Sequence, residues 1–393
     1  MGLFLIYLAA EKVRLERARR RVPRRVAVTG TRGKSGVTRL VAAGLRASGA
    51  RVLAKTTGSK PMVILPDGSE RVIGRPGPAS IREQVRLVEM AAAVGAEALV
   101  TEMMSIGEEA LAVESRRILR PSMLLVTNVR LDHLDEMGRD REAIARTMAA
   151  AVPDRAEVFM PAEEAHAAFE AASARRGSTL HRVAPGPANA GAAGPAALPP
   201  GEFEPNRRLA RAALASLGLD ERTIERGIRE AAPDAGSLRI VAGSFGDPPR
   251  PATCVSLFAA NDPASSRTTL LQVLGALDRG GRPLVGLLAL REDRGDRTLQ
   301  WVRAAQEGFF GDFASVFLAG PTARAALKKL GRGAGGPSGP RYGLADGRTP
   351  AALMARIVSS AEGEPLVVGL GNFVGLGEAL VAHWLEKGTR HGV

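Results

Sequence analysis

The sequence predicts an α/β fold: a larger domain built on a mostly parallel sheet, followed by a smaller C-terminal α/β domain. Three observations carry this reading. Short apolar runs alternate with stretches of helical spacing along most of the chain. The length, 393 residues, exceeds one ordinary domain. The first strand-like run passes through a glycine turn straight into a helix, in VAVTGTRGKS at residues 26–35.

Residues 1–22 form a separate N-terminal helix in this reading. Residues 2–10, GLFLIYLAA, are apolar, and EKVRLERARRR follows. A helix over those nine apolar residues is about 14 Å long against a hydrocarbon core of about 30 Å, so it does not span a bilayer unaided. No small-residue cleavage site of the signal-peptide kind precedes the arginines. The segment reads equally as a first helix packed on the body, or as a membrane-proximal or partner-binding helix whose basic residues 14–25 face anionic lipid.

The first domain is expected over 23–236. Residues 25–28 read as a buried strand, 36–48 as a helix, 51–55 as a strand, 81–94 as a helix and 98–100 as a strand ending at Glu102. Residues 123–127 form a further apolar run after Pro121. Residues 181–201 are rich in Pro, Gly and Ala and read as a surface excursion. A helix resumes over 206–218. The second domain, 237–393, starts near Arg239, with the boundary around 233–237. Its strands are expected over 253–257, 284–290, 316–318 and 366–370, and residues 331–340 read as a flexible loop.

Composition narrows the function classes. Hydrophobic residues make up 45% and charged residues 24%, which is globular. The single cysteine, Cys254, excludes an internal disulfide and a multi-cysteine metal site, and fits a reducing cytosol. The formal charge of +13 is carried almost wholly by arginine. It favours polyanions in general, or it reflects a bias toward Ala, Gly and Arg that runs through the whole chain. Aromatic residues are only 4%, and no RNA- or DNA-binding signature is present, which argues against nucleic acid as the partner.

The sharpest motif is Gly30-Thr31-Arg32-Gly33-Lys34-Ser35-Gly36. A strand delivers a glycine turn whose N–H groups can surround phosphate oxygens, and the following helix adds its positive end. Lys34 would reach the β- and γ-phosphates, and Ser35 would hold Mg²⁺ through its hydroxyl. The pattern is GxxGK[ST], two residues shorter between the glycines than the common form. The chain holds only seven lysines, so a coincidental match between such flanks is rare. Nucleotide binding follows, with ATP and Mg²⁺ as the expected cofactors.

Two further strand ends carry ligating residue types. Glu102 closes one, where a carboxylate could hold a metal, although a lone Glu there is more often solvated loop. The other runs Thr127-Asn128-Val129-Arg130-Leu131-Asp132-His133. An isolated histidine is more often structural than ligating, and the spacing alone does not decide between the two.

In this order, GTRGKS, TE and TNVRLDHLD resemble the central ATPase domain of the Mur ligase superfamily, which also includes folylpolyglutamate synthase. VTGTRGKSGVTRL, KTTGSKPMV, AEALVTEMMS, FAANDPASS, REDRGDRTLQW and GLGNFVGLGE more narrowly resemble the ligase subunits of poly-γ-glutamate synthase, the CapB/PgsB type. The likeness covers most of 22–380 and is weakest over 155–200. It implies roles residue by residue. Lys34 matches the phosphate-loop lysine, Ser35 the first Mg²⁺ ligand, Glu102 the carboxylate at that metal, and His133 a ligand of a second Mg²⁺, with Asn128 ordering the motif. Asn206 is similar to an asparagine near the adenine. Arg239 falls where an interdomain arginine meets the γ-phosphate, and Asp262 where the C-terminal domain faces the nucleotide. The loop begins near residue 30, which leaves no room for a Mur-type N-terminal domain and implies no cell-wall nucleotide substrate. Some Mur ligases use a modified lysine at the second metal. No lysine occurs between Lys60 and Lys328, so another residue must serve or the metal is held otherwise.

The resemblance implies an ATP-dependent amide ligase that polymerises glutamate through an acyl-phosphate. Its partners would be glutamate, the anionic poly-γ-glutamate chain and integral-membrane subunits of a synthase complex, and self-association is compatible with it. The expected location is cytoplasmic, peripheral on the inner face of the plasma membrane. Two other readings remain open at this point: a nucleic-acid-dependent ATPase, and a non-catalytic nucleotide-gated subunit of a membrane complex.

Overall fold

The computed structural model describes residues 2–58, 61–75, 79–131, 134–185, 204–234, 237–260, 262–277, 279–293, 295–331, 339–345, 347 and 349–390. These fall into two compact units, one ending at Asp234 and the other beginning after it.

The first unit holds eight strands: β1 (Arg24–Thr29), β2 (Val52–Thr56), β3 (Met62–Ile64), β4 (Glu70–Val72), β5 (Ala98–Glu102), β6 (Met123–Val126), β7 (Glu157–Pro161) and β8 (Thr179–Val183). They form one sheet in the order β4-β3-β2-β5-β1-β6-β7-β8. Strands β2, β5, β1, β6, β7 and β8 are parallel, and the β3–β4 hairpin adds an antiparallel edge. Successive residues point to opposite faces of a strand, so Val26 and Val28 enter one apolar core while Ala27 enters the other. Burial on both faces is why β1, β5 and β6 read as continuous apolar runs.

The strand starting at Thr179 corrects the reading of 181–201 as an excursion. His181–Val183 complete the last parallel strand, and His181 stacks on Phe159 with ring centroids 4.4 Å apart. Its exposed positions gave no apolar run to find. Residues 186–203 lie outside the described set.

The N-terminal segment is one helix, Gly2–Arg21. Its second half packs on this unit. Leu15, Ala18 and Val22 are buried, Arg14 and Glu11 face Glu89 and Arg82, and Arg19 donates to the carbonyls of Arg117 and Ile118. Ile6, in the apolar half, is exposed. No described helix is long and apolar enough to cross a membrane.

The second unit holds seven strands: β9 (Arg239–Phe245), β10 (Arg250–Ser256), β11 (Leu284–Ala289), β12 (Ser315–Ala319), β13 (Arg341–Leu344), β14 (Leu366–Gly371) and β15 (Gly388–Arg390). The sheet order is β13-β12-β11-β14-β10-β9-β15, with β9 alone reversed and therefore antiparallel to both of its neighbours, β10 and β15. Two apolar cores again cover its faces. Of the expected flexible loop at 331–340, residues 332–338 lie outside the described set.

Candidate active site

Four adjacent parallel strands, in the order β2-β5-β1-β6, end on one edge of the first sheet. That register brings four separated pieces of sequence together: Thr57 after β2, Glu102 closing β5, the glycine loop after β1, and Thr127-Asn128 after β6. The chain leaves β1 toward β2 and β5 on one side and reaches β6 on the other, the switch of strand order at which open α/β sheets bind ligands.

The loop is built as a phosphate cradle. Gly30 and Gly33 adopt φ of 139° and 78°, conformations that side chains disfavour. A Cβ at Gly30 would sit 1.9 Å from Thr127 Oγ1, and one at Gly33 would sit 2.6 Å from Asn206 Nδ2. Both glycines are therefore required by space as well as by backbone angle. The helix Lys34–Ala47 starts at once, with no acidic residue in its first turn and a glycine, Gly33, at its N-cap. The positive helix end favours an anion at this position.

Asn128 fastens the loop from the β6 side. Its Oδ1 accepts from Thr31 Oγ1 at 2.7 Å and from Arg32 N at 3.0 Å, and its Nδ2 donates to Arg32 O at 3.1 Å. Thr127 Oγ1 donates to Arg32 O at 2.5 Å. Lys34 Nζ donates to the Gly30 carbonyl at 2.7 Å, which holds the ammonium against the loop. Asn206, buried at the start of the helix Glu204–Ser216, lies directly against Gly33.

Glu102 is buried at 3% exposure. Its Oε2 accepts from Ser35 Oγ at 2.7 Å and from Thr57 N at 2.7 Å. A hydroxyl and a carboxylate side by side, next to a phosphate cradle, are the hard oxygen donors that Mg²⁺ takes alongside phosphate oxygens. Among the described residues no group of three or more His, Cys, Asp or Glu forms a metal cluster. The Ser35–Glu102 pair fits a hard cation shared with a nucleotide. His133 lies outside the described residues.

Behind Glu102 is a buried polar network that the motif reading missed. Glu114, with 0% exposure, accepts from Met104 N at 3.0 Å, Ser105 N at 2.9 Å and Gln84 Nε2 at 2.6 Å. Gln84 also donates to the Glu102 carbonyl at 3.1 Å and accepts from Thr101 Oγ1 at 3.2 Å. Lys55, 1% exposed, stands 3.3 Å from Glu83, whose other partner is Arg75 at 2.7 Å. Burial pushes the Lys55 ammonium below its ordinary value, and Glu83 and Glu114 oppose that push. The one trace of this in the sequence is a lysine closing the otherwise apolar run V-L-A-K.

Of the expected site residues, the structure brings Gly30, Thr31, Arg32, Gly33, Lys34, Ser35, Gly36, Glu102 and Asn206 to one sheet edge. Arg239 and Asp262 belong to the second unit. Arg239 opens β9 opposite Ser256, and Asp262 caps the helix Pro263–Ala276, its carboxylate accepting from Ser265 N at 2.8 Å.

Comparison with known proteins agrees with this geometry. Residues 28–183 match the family model of the Mur ligase middle domain, and 244–387 match that of the poly-gamma-glutamate synthase CapB C-terminal domain. The chain is 28% identical over 372 residues to the capsule biosynthesis protein CapB of Bacillus anthracis, covering 93% of this chain and 77% of that protein. It is 29% identical over 305 residues to the PGA synthase CapB of Bacillus subtilis (strain 168), covering 76% of each. Among solved structures, E. coli FolC in complex with DHPP and ADP superposes with a TM-score of 0.65 at 22% identity, covering 96% of this chain and 91% of that one. Mycobacterium tuberculosis folylpolyglutamate synthase complexed with ADP and AMPPCP gives 0.67 at 18%, covering 98% and 99%. These two likenesses concern the fold. The two family models together cover about three quarters of the sequence, in order: the chain is an ATP-dependent amide ligase that pairs a domain matching the Mur ligase middle domain with one matching the poly-gamma-glutamate synthase CapB C-terminal domain.

Proposed function

We propose that this ligase joins glutamate units through their γ-carboxylates, extending an anionic poly-γ-glutamate chain at the expense of ATP. The observation that carries the proposal is the pairing of a built phosphate cradle, with Ser35 and Glu102 bonded beside it, and a C-terminal domain of the CapB type. Relatives named as capsule and PGA synthase proteins supply the substrate class. Neighbours of the same fold were solved with ADP, or with AMPPNP and Mn, which supports ATP and a divalent ion here.

In the proposed reaction a carboxylate oxygen attacks the γ-phosphorus, the bond to the ADP oxygen breaks, and an acyl-phosphate forms. The amine nitrogen of the next unit then attacks the acyl carbon. The carbon–oxygen bond to phosphate breaks, the nitrogen loses a proton, and an amide and phosphate remain. Bringing a carboxylate to a triphosphate opposes like charges. Lys34 and Arg239 offset that repulsion, and the amides of residues 30–36 position the phosphates. Ser35, Glu102 and His133 are the proposed holders of Mg²⁺, which when bound supplies further charge neutralisation. Asn206 and Asp262 are proposed to face the nucleotide. Integral-membrane partner subunits, a peripheral position on the inner face of the plasma membrane and self-association belong to the same proposal.

The test is ATP consumption by purified protein against a panel of amino acids, with the nucleotide and amide products identified. Glutamate-stimulated release of ADP and phosphate with γ-linked product, abolished by Lys34→Ala, is expected. Stimulation by another amino acid alone, or by DNA, overturns the proposal.

A further inference from the structure

At the opposite edge of the first sheet lies a cavity of about 590 Å³ lined by Arg116, Arg117, Arg120, Arg155 and Arg176. These residues stand just ahead of β6, β7 and β8, strands that run parallel to β1. The glycine loop leaves the other end of β1, so a strand length, about 17 Å, separates cavity and loop.

Its charge is poorly matched by the protein itself. Two carboxylates line it, Glu109 and Asp154, and Asp154 is engaged with Arg176 at 2.9 Å. Arg120 lies 3.4 Å from Glu16 of the N-terminal helix. Among the described residues, Arg116, Arg117 and Arg155 have no carboxylate in salt-bridge contact, and Arg116 Nε is buried without a hydrogen-bond partner.

The backbone gives a second, independent indication. Only two described non-glycine residues have positive φ, Arg120 at 43° and Arg155 at 51°, and both line this cavity. Glycine is the residue that adopts this conformation without strain. Two arginines at such positions, both lining one hollow, are kept there against a local backbone cost.

We infer that this cavity is a second binding site, for a segment of a polycarboxylate chain, which on the reading above is the acidic product of the ligase itself. Guanidinium forks match carboxylates in paired hydrogen bonds. Among the described residues no aromatic ring lines the hollow, whereas single-stranded nucleic acid is bound by stacking on such rings. Its concave form suits a chain better than a flat lipid headgroup layer. A chain held here stays at high local concentration while its end is extended, which favours long products.

The test uses the full chain and a γ-linked glutamate oligomer as probe, with inorganic phosphate, phosphatidylglycerol vesicles and single-stranded DNA as parallel arms. Two variants are compared: Arg120→Gly with Arg155→Gly, which suits the left-handed backbone, and Arg116→Gln with Arg117→Gln. Each is expected to weaken oligomer binding about tenfold or more, the effect of losing charge-assisted hydrogen bonds. ATP affinity should stay the same, the glycine pair should melt no lower than the parent, and both should make shorter product. Oligomer affinity unchanged in both variants overturns the inference, as does tighter binding of phosphate, vesicles or DNA at these arginines. A parent that makes γ-linked polymer while the variants bind it equally well sinks this site alone. A parent that neither ligates glutamate nor binds the oligomer sinks the proposed function with it.

Discussion

Ser35 Oγ donates to Glu102 Oε2 at 2.7 Å, joining the residue after the loop lysine to the end of a strand 67 positions further along. The bond aligns a hydroxyl and a carboxylate beside a phosphate cradle before any ligand arrives. Glu102→Gln keeps the shape and removes the charge. Turnover should fall about 100-fold or more, the scale of losing one preorganised electrostatic group, with a weaker response to added Mg²⁺. Nucleotide affinity measured without metal should change little. A variant with parental kcat and metal dependence would remove Glu102 from the site.

Gly30 tolerates no side chain, because its φ is 139° and a Cβ would lie 1.9 Å from Thr127 Oγ1. Gly30→Ala should cost about 1–3 kcal/mol in urea unfolding and weaken ATP binding as well. Adding Thr127→Ala removes the closest contact but leaves the backbone angle and the 3.1 Å approach of the residue 127 Cβ and N, so the double variant should recover only part of both losses. Full recovery would show that the angle is immaterial.

Glu114 accepts hydrogen bonds from two consecutive backbone amides and from Gln84, all behind Glu102. Glu114→Gln leaves one of these donors facing an amide N–H instead of an oxygen. A loss of about 1–3 kcal/mol in stability is expected. Because the strand end carrying Glu102 shifts, kcat should fall while the KM for ATP moves little. Equal loss in both constants would place Glu114 in nucleotide binding instead.

Glu83 carries a pH signature. Burial pushes its carboxyl up, but the hydrogen bond from Arg75 and the charge of Lys55 outweigh that and leave it below its ordinary value. In acid the unfolded chain therefore binds a proton more readily than the folded one, and stability rises with pH across that window. The contribution is complete above an unfolded value of about 4.3 and is lost as the pH falls through the lowered folded one. Unfolding free energy of the parent should drop more steeply between about pH 6 and pH 3 than that of Glu83→Gln. Parallel curves would mean that the pair adds nothing.

The N-terminal helix divides at its middle. Leu15, Ala18 and Val22 are buried and Arg19 bonds two carbonyls of the first unit, whereas Ile6 is 66% exposed. Removing residues 2–10 should leave the melting temperature within experimental error. Removing 2–21 takes away the buried Leu15 and Ala18 together with the Arg19 hydrogen bonds, and should lower it by several degrees, since each contact is worth about 1 kcal/mol. Equal effects of the two truncations would refute this division.

The local geometry that depends on contiguous residues was legible in the sequence. The run from Val26 to Ser35 is a buried strand, a glycine turn and a helix start in unbroken order, and each part needs only local geometry to be recognised. Glu102 and Asn128 were legible for a related reason, since a polar residue at the end of an apolar run marks the ligand edge of a parallel sheet. Strand β8 and the β3–β4 hairpin were not, because edge strands with exposed faces need no apolar run. The buried support of Glu102 and the arginine cavity also escaped it. Gln84, Glu114 and Lys55 meet across as many as 59 positions, and the cavity's arginines look like compositional bias until parallel strand starts gather them. Local order writes itself into neighbouring residues, whereas partners brought together by sheet register leave no spacing to read, and only packing decides which charges end up facing one another.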